Sequence, residues 1–360
     1  MREAPALRIV EPGLCTTLQD LGRFGAQRYG ISPSGAIDVD ALALANALVE
    51  NPTACAALEI RIKGPTIEVV AESVRVALAG AAAAIKVKHA STGVIDSIVV
   101  GPERWRSMRL LQGDQLVIGV LGGSATAYLA IEGGYGTSPV FGSSSTHLRA
   151  GFGGLDGAIS GRALRANDHV AIQKAHVSER RERTVSASDL IPAITNDPID
   201  VRVVLGPQDD YFTDAAVQLF LSAVWPVSQR LDRMGIRLDG PPLEHKMRAD
   251  IISDGIVTGA IQVPGNGLPI ILLADRQTTG GYTKIASVIS ADLGKVGRAR
   301  PDDRLRFHAI APKDAITAAR DAAVRRLAVI DAIGWYHEPG ALDLQKLARE
   351  NLITAAIDIH

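Results

Sequence analysis

The apolar residues of this chain come in short runs rich in Val and Ile, each closed by Gly, Pro or Asp, and this punctuation constrains the fold more than any other feature. Runs of that length and branching suit strands, whose pleated surface accommodates β-branched side chains, and are too short for most helices. The pattern predicts strands at Ala57–Ile62, Thr66–Val70, Val74–Leu78, Gln115–Val120, Thr126–Ile131 and His169–Gln173, then at Val201–Leu205, Ile251–Thr258, Pro269–Ala274, Ile285–Ile289 and Arg304–His308. Thirty-five glycines and eighteen prolines supply the turns such a chain needs. The expected fold class is mainly β.

Helical periodicity is confined to a few places. Asp38 can cap a helix over Ala41–Val49 that stops at Asn51-Pro52, and Thr213 can cap Asp214–Trp225 ahead of Pro226. Ala315–Ile333 and Leu342–Leu352 read as a helical tail. A length of 360 residues corresponds to about two domains. The charged stretch between His176 and Asp200 reads as the linker between two halves, the alternative being a solvated helix start within one continuous domain.

Several function classes are disfavoured. With 38 Lys+Arg against 39 Asp+Glu and only 4% aromatics, nothing attracts nucleic acid or anionic lipid over long range, and base-stacking platforms are scarce. Cys15 and Cys55 stand far apart without a CxxC pair, and the N-terminus has no apolar signal core, so a cytoplasmic protein that neither binds nor spans a membrane is expected. The eight histidines form no HxxxH or HExxH pair, so no metal is expected; GxSxG, GxxxxGK[ST] and a strand followed by GxGxxG are also missing from the sequence.

The densest polar cluster in an apolar setting is Asp275-Arg276-Gln277-Thr278-Thr279-Gly280-Gly281-Tyr282-Thr283-Lys284. Burying such a burst is costly unless each group finds a partner, so it is either an exposed hairpin turn or a polar pocket in which Arg276, Gln277, Thr279 and Lys284 donate to developing negative charge. Gly280 would let backbone approach a ligand closely. Upstream, Asp254-Gly255 has turn chemistry, and Gln262 between Ile261 and Val263 needs either buried partners or a ligand. Near the start, Arg23 and the Gly30–Asp38 loop with Ser34 could hold an anion at a helix start, or could be turn and cap chemistry. Arg233 or Arg237 could clamp a carboxylate, a surface ion pair with Asp232 or Asp239 being the ordinary alternative and weighted more for Arg237. The Gly142–Thr146 loop, with Ser145, carries the same ambiguity.

Taken together, Leu18–Arg23, Pro33–Asp38, Ala57–Glu59 with Gly64-Pro65, Gly142–Leu148, Gly206-Pro207-Gln208, Asp232–Leu238, Ser253–Gly265 and Leu272–Ser290 resemble a family labelled allophanate hydrolase subunit 2, KipA-like proteins and the C subunit of 5-oxoprolinase. The resemblance runs from about residue 8 to about residue 308. It implies two cyclophilin-like β-barrel halves, over 1–185 and 198–309, with a helical extension over 310–360 outside the family's core.

By the same resemblance the chain acts on an amide or ureido group as one subunit of an ATP-dependent 5-oxoprolinase. Alternatively, it is the carboxyltransferase component of a biotin-dependent urea carboxylase or allophanate hydrolase system. The expected partners are a KipI-like protein (the B subunit of 5-oxoprolinase, or allophanate hydrolase subunit 1) and a LamB/YcsF-like subunit, with ATP used by the complex. In the carboxyltransferase alternative carboxybiotin arrives from another chain. Glu244-His245-Lys246-Met247 does not match the Ala-Met-Lys-Met turn of a biotin carrier, so no cofactor is expected covalently on this chain. A chain without carrier or carboxylase domains leans toward the oxoprolinase type. A non-catalytic antagonist of a KipI-like kinase inhibitor is the reading from a different class. The expected catalytic residues are Asp254, Gln262, Asp275, Arg276, Gln277 and Lys284, with Arg23, Ser34, Ser145, Arg233, Thr279, Gly280 and Tyr282 binding substrate.

Overall fold

The computed structural model describes residues 6–192 and 198–337. Strands dominate the described residues and form three sheets, joined by four α-helices, α1 (Val39–Leu48), α2 (Asp214–Ser222), α3 (Leu293–Arg298) and α4 (Pro312–Asp331). In the first half a six-stranded and a seven-stranded sheet share one hydrophobic core. Strand Ala83–Lys88 of the six-stranded sheet alternates, with Ala83, Ile85 and Val87 inward and Lys86 and Lys88 in water. Strands Ser73–Ala79 and Thr126–Ile131 of the other sheet are buried along their whole length, because α1 covers their second face with Ala41, Leu42, Leu44, Ala45 and Leu48.

The second half closes into a barrel. Strand Ile199–Leu205 pairs in parallel with Arg304–Ala309 on one side and antiparallel with Thr279–Val288 on the other, which joins the ends of the sheet. Asp250–Gly255 hangs outside this ring on Thr279–Val288. Inside, Phe220 stacks on Phe307 at 4.6 Å between ring centroids, and the buried Trp225 indole donates to the Phe220 carbonyl at 3.0 Å.

The halves interlock. Ile37 of the first half packs into the second core, and a Cβ on Gly297 of α3 would lie 2.1 Å from its Cγ2. Around this knob Arg298 pairs with Asp38 at 2.7 Å, while Arg61 and Thr126 both donate to the Gly297 carbonyl.

Several expectations need correction. The helix expected to reach Trp225 ends at Ser222, because Pro226 forces its predecessor into extended backbone and Trp225 joins strand Val224–Leu231. The linker expected from His176 belongs to the first half through Ile191: Glu182 pairs with buried Arg75 at 3.1 Å, Arg183–Val185 adds a strand, and Leu190 and Ile191 enter the first core. The segment after residue 309 is not wholly helical, since Gly334–Trp335 pairs with Arg183–Val185 after α4, whose Arg326 reaches Asp40 of α1 at 2.5 Å. The helix expected at Leu342–Leu352 lies outside the described residues. None of the helices in the described residues is long and apolar enough to cross a membrane.

Candidate functional site

The site is built where the two halves meet. Two loops of the first half cross so closely that a Cβ on Gly35 would lie 2.7 Å from the Gly22 nitrogen, and both glycines have positive φ (+87° and +97°) that other residues adopt only with strain. The next residue back, Ser34, donates its amide to the Ala274 carbonyl at 3.1 Å. This stitch lays Ser32 and the His147 loop against the polar run that begins at Asp275.

Beneath the stitch lies a saturated ionic network. The buried Arg233 guanidinium donates through Nε and Nη2 to the two Asp275 oxygens (3.0 and 3.1 Å), through Nη1 to Glu59, and again through Nη2 to the Gly35 carbonyl (2.8 Å). Burial opposes its charge, but Asp275 and Glu59 outweigh that effect and raise its pKa. Tyr128 donates to Glu59 at 2.5 Å and accepts from the Asp38 amide, and burial pushes its phenol well above the ordinary range, so it stays protonated.

Two clefts flank Gln277, which lines both. The barrel cleft, about 420 Å³, is lined by Gln262, Gln277, Tyr282, Arg230 and Arg237 among others. Gln262 is 2% exposed, its Oε1 accepts from Gln277 Nε2 at 3.4 Å, and its own Nε2 has no partner among the described residues. Gly280 packs closely beside it, since a Cβ there would lie 2.7 Å from that Nε2 and would displace it. Opposite Gln262 in register, Lys284 is buried and pairs with the exposed Asp254 at 3.1 Å. Lys284 and the Gly255 amide lower the Asp254 pKa, so it works as an anion that holds Lys284 in place and not as an acid.

The junction cleft, about 380 Å³, takes Ser32, His147 and Arg149 from the first half and Asp275, Arg276, Gln277 and Thr279 from the second. Arg276 is 2% exposed, donates to the Ile256 carbonyl at 3.0 and 3.3 Å, and leaves Nη1 without a partner among the described residues. Burial alone pushes its pKa down to about 10.

The structure therefore separates the residues expected to act together. Gln262, Gln277 and Tyr282 share the barrel cleft, while Arg276, Thr279 and Asp275 share the junction cleft with Gln277, and Gly280 touches Gln262 between them. Asp275, expected to orient the donors or to move a proton, has both oxygens engaged by Arg233, which it holds in place. Arg233 clamps carboxylates, as its fork allows, but those of Asp275 and Glu59 and not of a ligand. Arg237, the arginine given the surface ion pair, has none among the described residues and faces the barrel cleft. Arg23 and Ser145 line neither cleft: Arg23 donates to the Ser145 carbonyl, and the Ser145 hydroxyl donates to Asp20 at 2.5 Å. The buried Ser34 hydroxyl, without a partner, also lies outside both linings. The exposed-hairpin-turn alternative for Asp275–Lys284 fails because Asp275, Arg276 and Lys284 are buried and Thr279–Lys284 belongs to a ten-residue strand. Sequence reasoning missed Ser32, His147, Arg149 and Arg230, although Ser32 and His147 lie inside or beside loops it singled out.

Residues 29–309 match the carboxyltransferase domain family, subdomains A and B. The chain is 33% identical to the C subunit of 5-oxoprolinase from Escherichia coli over 88% of its length and 94% of that protein's, and 33% identical to the same subunit of Haemophilus influenzae over 84% and 91%. It superposes on the urea carboxylase of Kluyveromyces lactis with a TM-score of 0.79 and 26% identity, covering 94% of this chain and 31% of that much longer one.

Proposed function

Because the chain belongs to the carboxyltransferase domain family, subdomains A and B, we propose that it is the C-type subunit of an ATP-dependent 5-oxoprolinase complex, which opens the lactam of 5-oxoproline to glutamate. The observation that carries this reading is coextension: the match to the Escherichia coli C subunit runs over 94% of that protein. In this reading its partners are a KipI-like subunit and a LamB/YcsF-like subunit, and the protein works in the cytoplasm.

A lactam is stabilised by resonance and is a poor electrophile, so opening it develops charge on oxygen and nitrogen that preplaced donors must meet. In the barrel cleft the free Gln262 amide N–H and the Gln277 amide supply such donors. Lys284, held by Asp254, adds a cation close by, and Arg230 and Arg237 give the rim a positive charge suited to the carboxylate that 5-oxoproline carries. ATP supplies the driving force and is assigned to the complex, not to a phosphate loop on this chain.

A second reading is favoured by the 0.79 superposition on urea carboxylase: the same donors would hold a ureido group during carboxyl transfer from carboxybiotin delivered by another chain. Reconstitution with the KipI-like and LamB/YcsF-like proteins decides. The expected result is ATP-dependent loss of 5-oxoproline that Gln277→Ala and Lys284→Ala each abolish while the fold is kept. Carboxylation of urea by a biotin-dependent partner would install the second reading, and tight pairing with the KipI-like protein without turnover of any amide would leave a regulatory antagonist.

A further inference from the structure

Of the two clefts, the junction cleft is the one lined by a buried arginine that has no counterion among the described residues. Arg276 keeps Nη1 unpartnered although the residue is 2% exposed, and at the rim the exposed Arg149 makes no hydrogen bond or ion pair with any described residue. Asp275 is the acidic residue among those lining the cleft, and Arg233 already occupies both of its oxygens. An uncompensated guanidinium inside a cavity costs several kcal/mol and is tolerated where a ligand supplies the missing charge.

The neutral groups agree. The His147 ring accepts the Ala150 amide at Nδ1 (3.3 Å), so the ring proton sits on Nε2 and is donated to the Ser32 hydroxyl oxygen at 2.9 Å. That leaves the Ser32 O–H with no acceptor among the described residues and free to point into the cleft. Gln277 and Thr279 add an amide and a hydroxyl on the opposite wall.

We propose that the junction cleft is an oxyanion-binding site for a small molecule carrying a carboxylate or a phosphate, held by Arg276 from below, Arg149 from the rim and the Ser32 hydroxyl from the side. The site shares Gln277 with the donors assigned to the lactam and is otherwise separate from them, and it stands or falls independently of the 5-oxoprolinase reading. Both anions offer the paired oxygens that a guanidinium fork takes.

The full chain is titrated calorimetrically with inorganic phosphate and, separately, with acetate. Saturable binding of at least one is expected, weakened about tenfold by Arg276→Gln and by Arg149→Gln, and by added salt. Tighter phosphate binding identifies a phosphoryl group as the natural occupant, and tighter acetate binding a carboxylate. Arg325→Gln, on the exposed face of α4 and outside both clefts, should leave the affinity unchanged. The proposal fails if neither anion saturates the wild-type chain, if binding survives both junction substitutions, or if Arg325→Gln weakens it as much as they do. Should Arg276→Gln not fold, Arg149→Gln against Arg325→Gln still decides.

Discussion

Arg233 and Arg276 are both buried where the two halves meet, and their surroundings are opposite. Arg233 reaches two carboxylates and a carbonyl, and takes up both oxygens of Asp275. Arg276 touches one carbonyl and leaves a nitrogen unused beside a cavity. Burial presses on both charges, yet the pKa rises at Arg233 and falls at Arg276. The difference separates a charge that holds the halves together from one kept for something that binds. Burial alone would not distinguish them; the number of partners does.

Removing the satisfied arginine should cost most. Arg233→Met strands Glu59 and Asp275 without their counterion and should lower unfolding free energy by about 3–5 kcal/mol in urea titration; a loss near zero would mean that the network contributes nothing. Next comes the cleft wall: Gly280→Ala drives a methyl against the Gln262 amide and should reduce kcat/KM of the reconstituted complex about 100-fold with little change in stability. Unaltered turnover would remove Gln262 from the chemistry.

Arg276→Met is the direct counterpart of the first substitution. It loses hydrogen bonds to Ile256 but also an uncompensated buried charge, so stability should move by no more than about 1 kcal/mol. A loss as large as that of Arg233→Met would erase the contrast between the two. The smallest effect concerns His147, whose pKa burial lowers below 6.5. A folded state that resists protonation loses stability as pH falls below 6.5, while the unfolded chain takes up the proton, and is unaffected above it. His147→Gln should flatten that part of the pH–stability curve, and an unchanged slope would place the His147 ring in contact with water.

What the sequence made legible follows from range. Strand Thr126–Ile131, the caps Asp38 and Thr213, and the polar burst at Asp275 are local patterns, and each stands in the structure at or near its expected residues. Strands such as Trp105–Leu111 were hidden by Arg106 and Arg109, whose charges break the alternation that marks a half-buried strand. The site was only half legible for the same reason. Gln262 and Gly280 were suspicious from their immediate neighbours. The pairing of Ser32 with His147 joins residues 115 positions apart within the first half, and that of Arg233 with Glu59 joins residues 174 positions apart across the docked halves. A residue's neighbours in sequence show that a charge needs a partner but not where that partner is.

The barrel's closure has a consequence for how the protein is made. Strand Ile199–Leu205 is held in parallel by Arg304–Ala309, more than a hundred positions later. A ribosome therefore releases most of the second half before its seam can be sewn, and hairpins with open edges must wait in the crowded cell. Slow maturation and a need for chaperones during synthesis are the expected signature, and substitutions in Arg304–Ala309 should reduce soluble yield more than they reduce the endurance of molecules that have already matured.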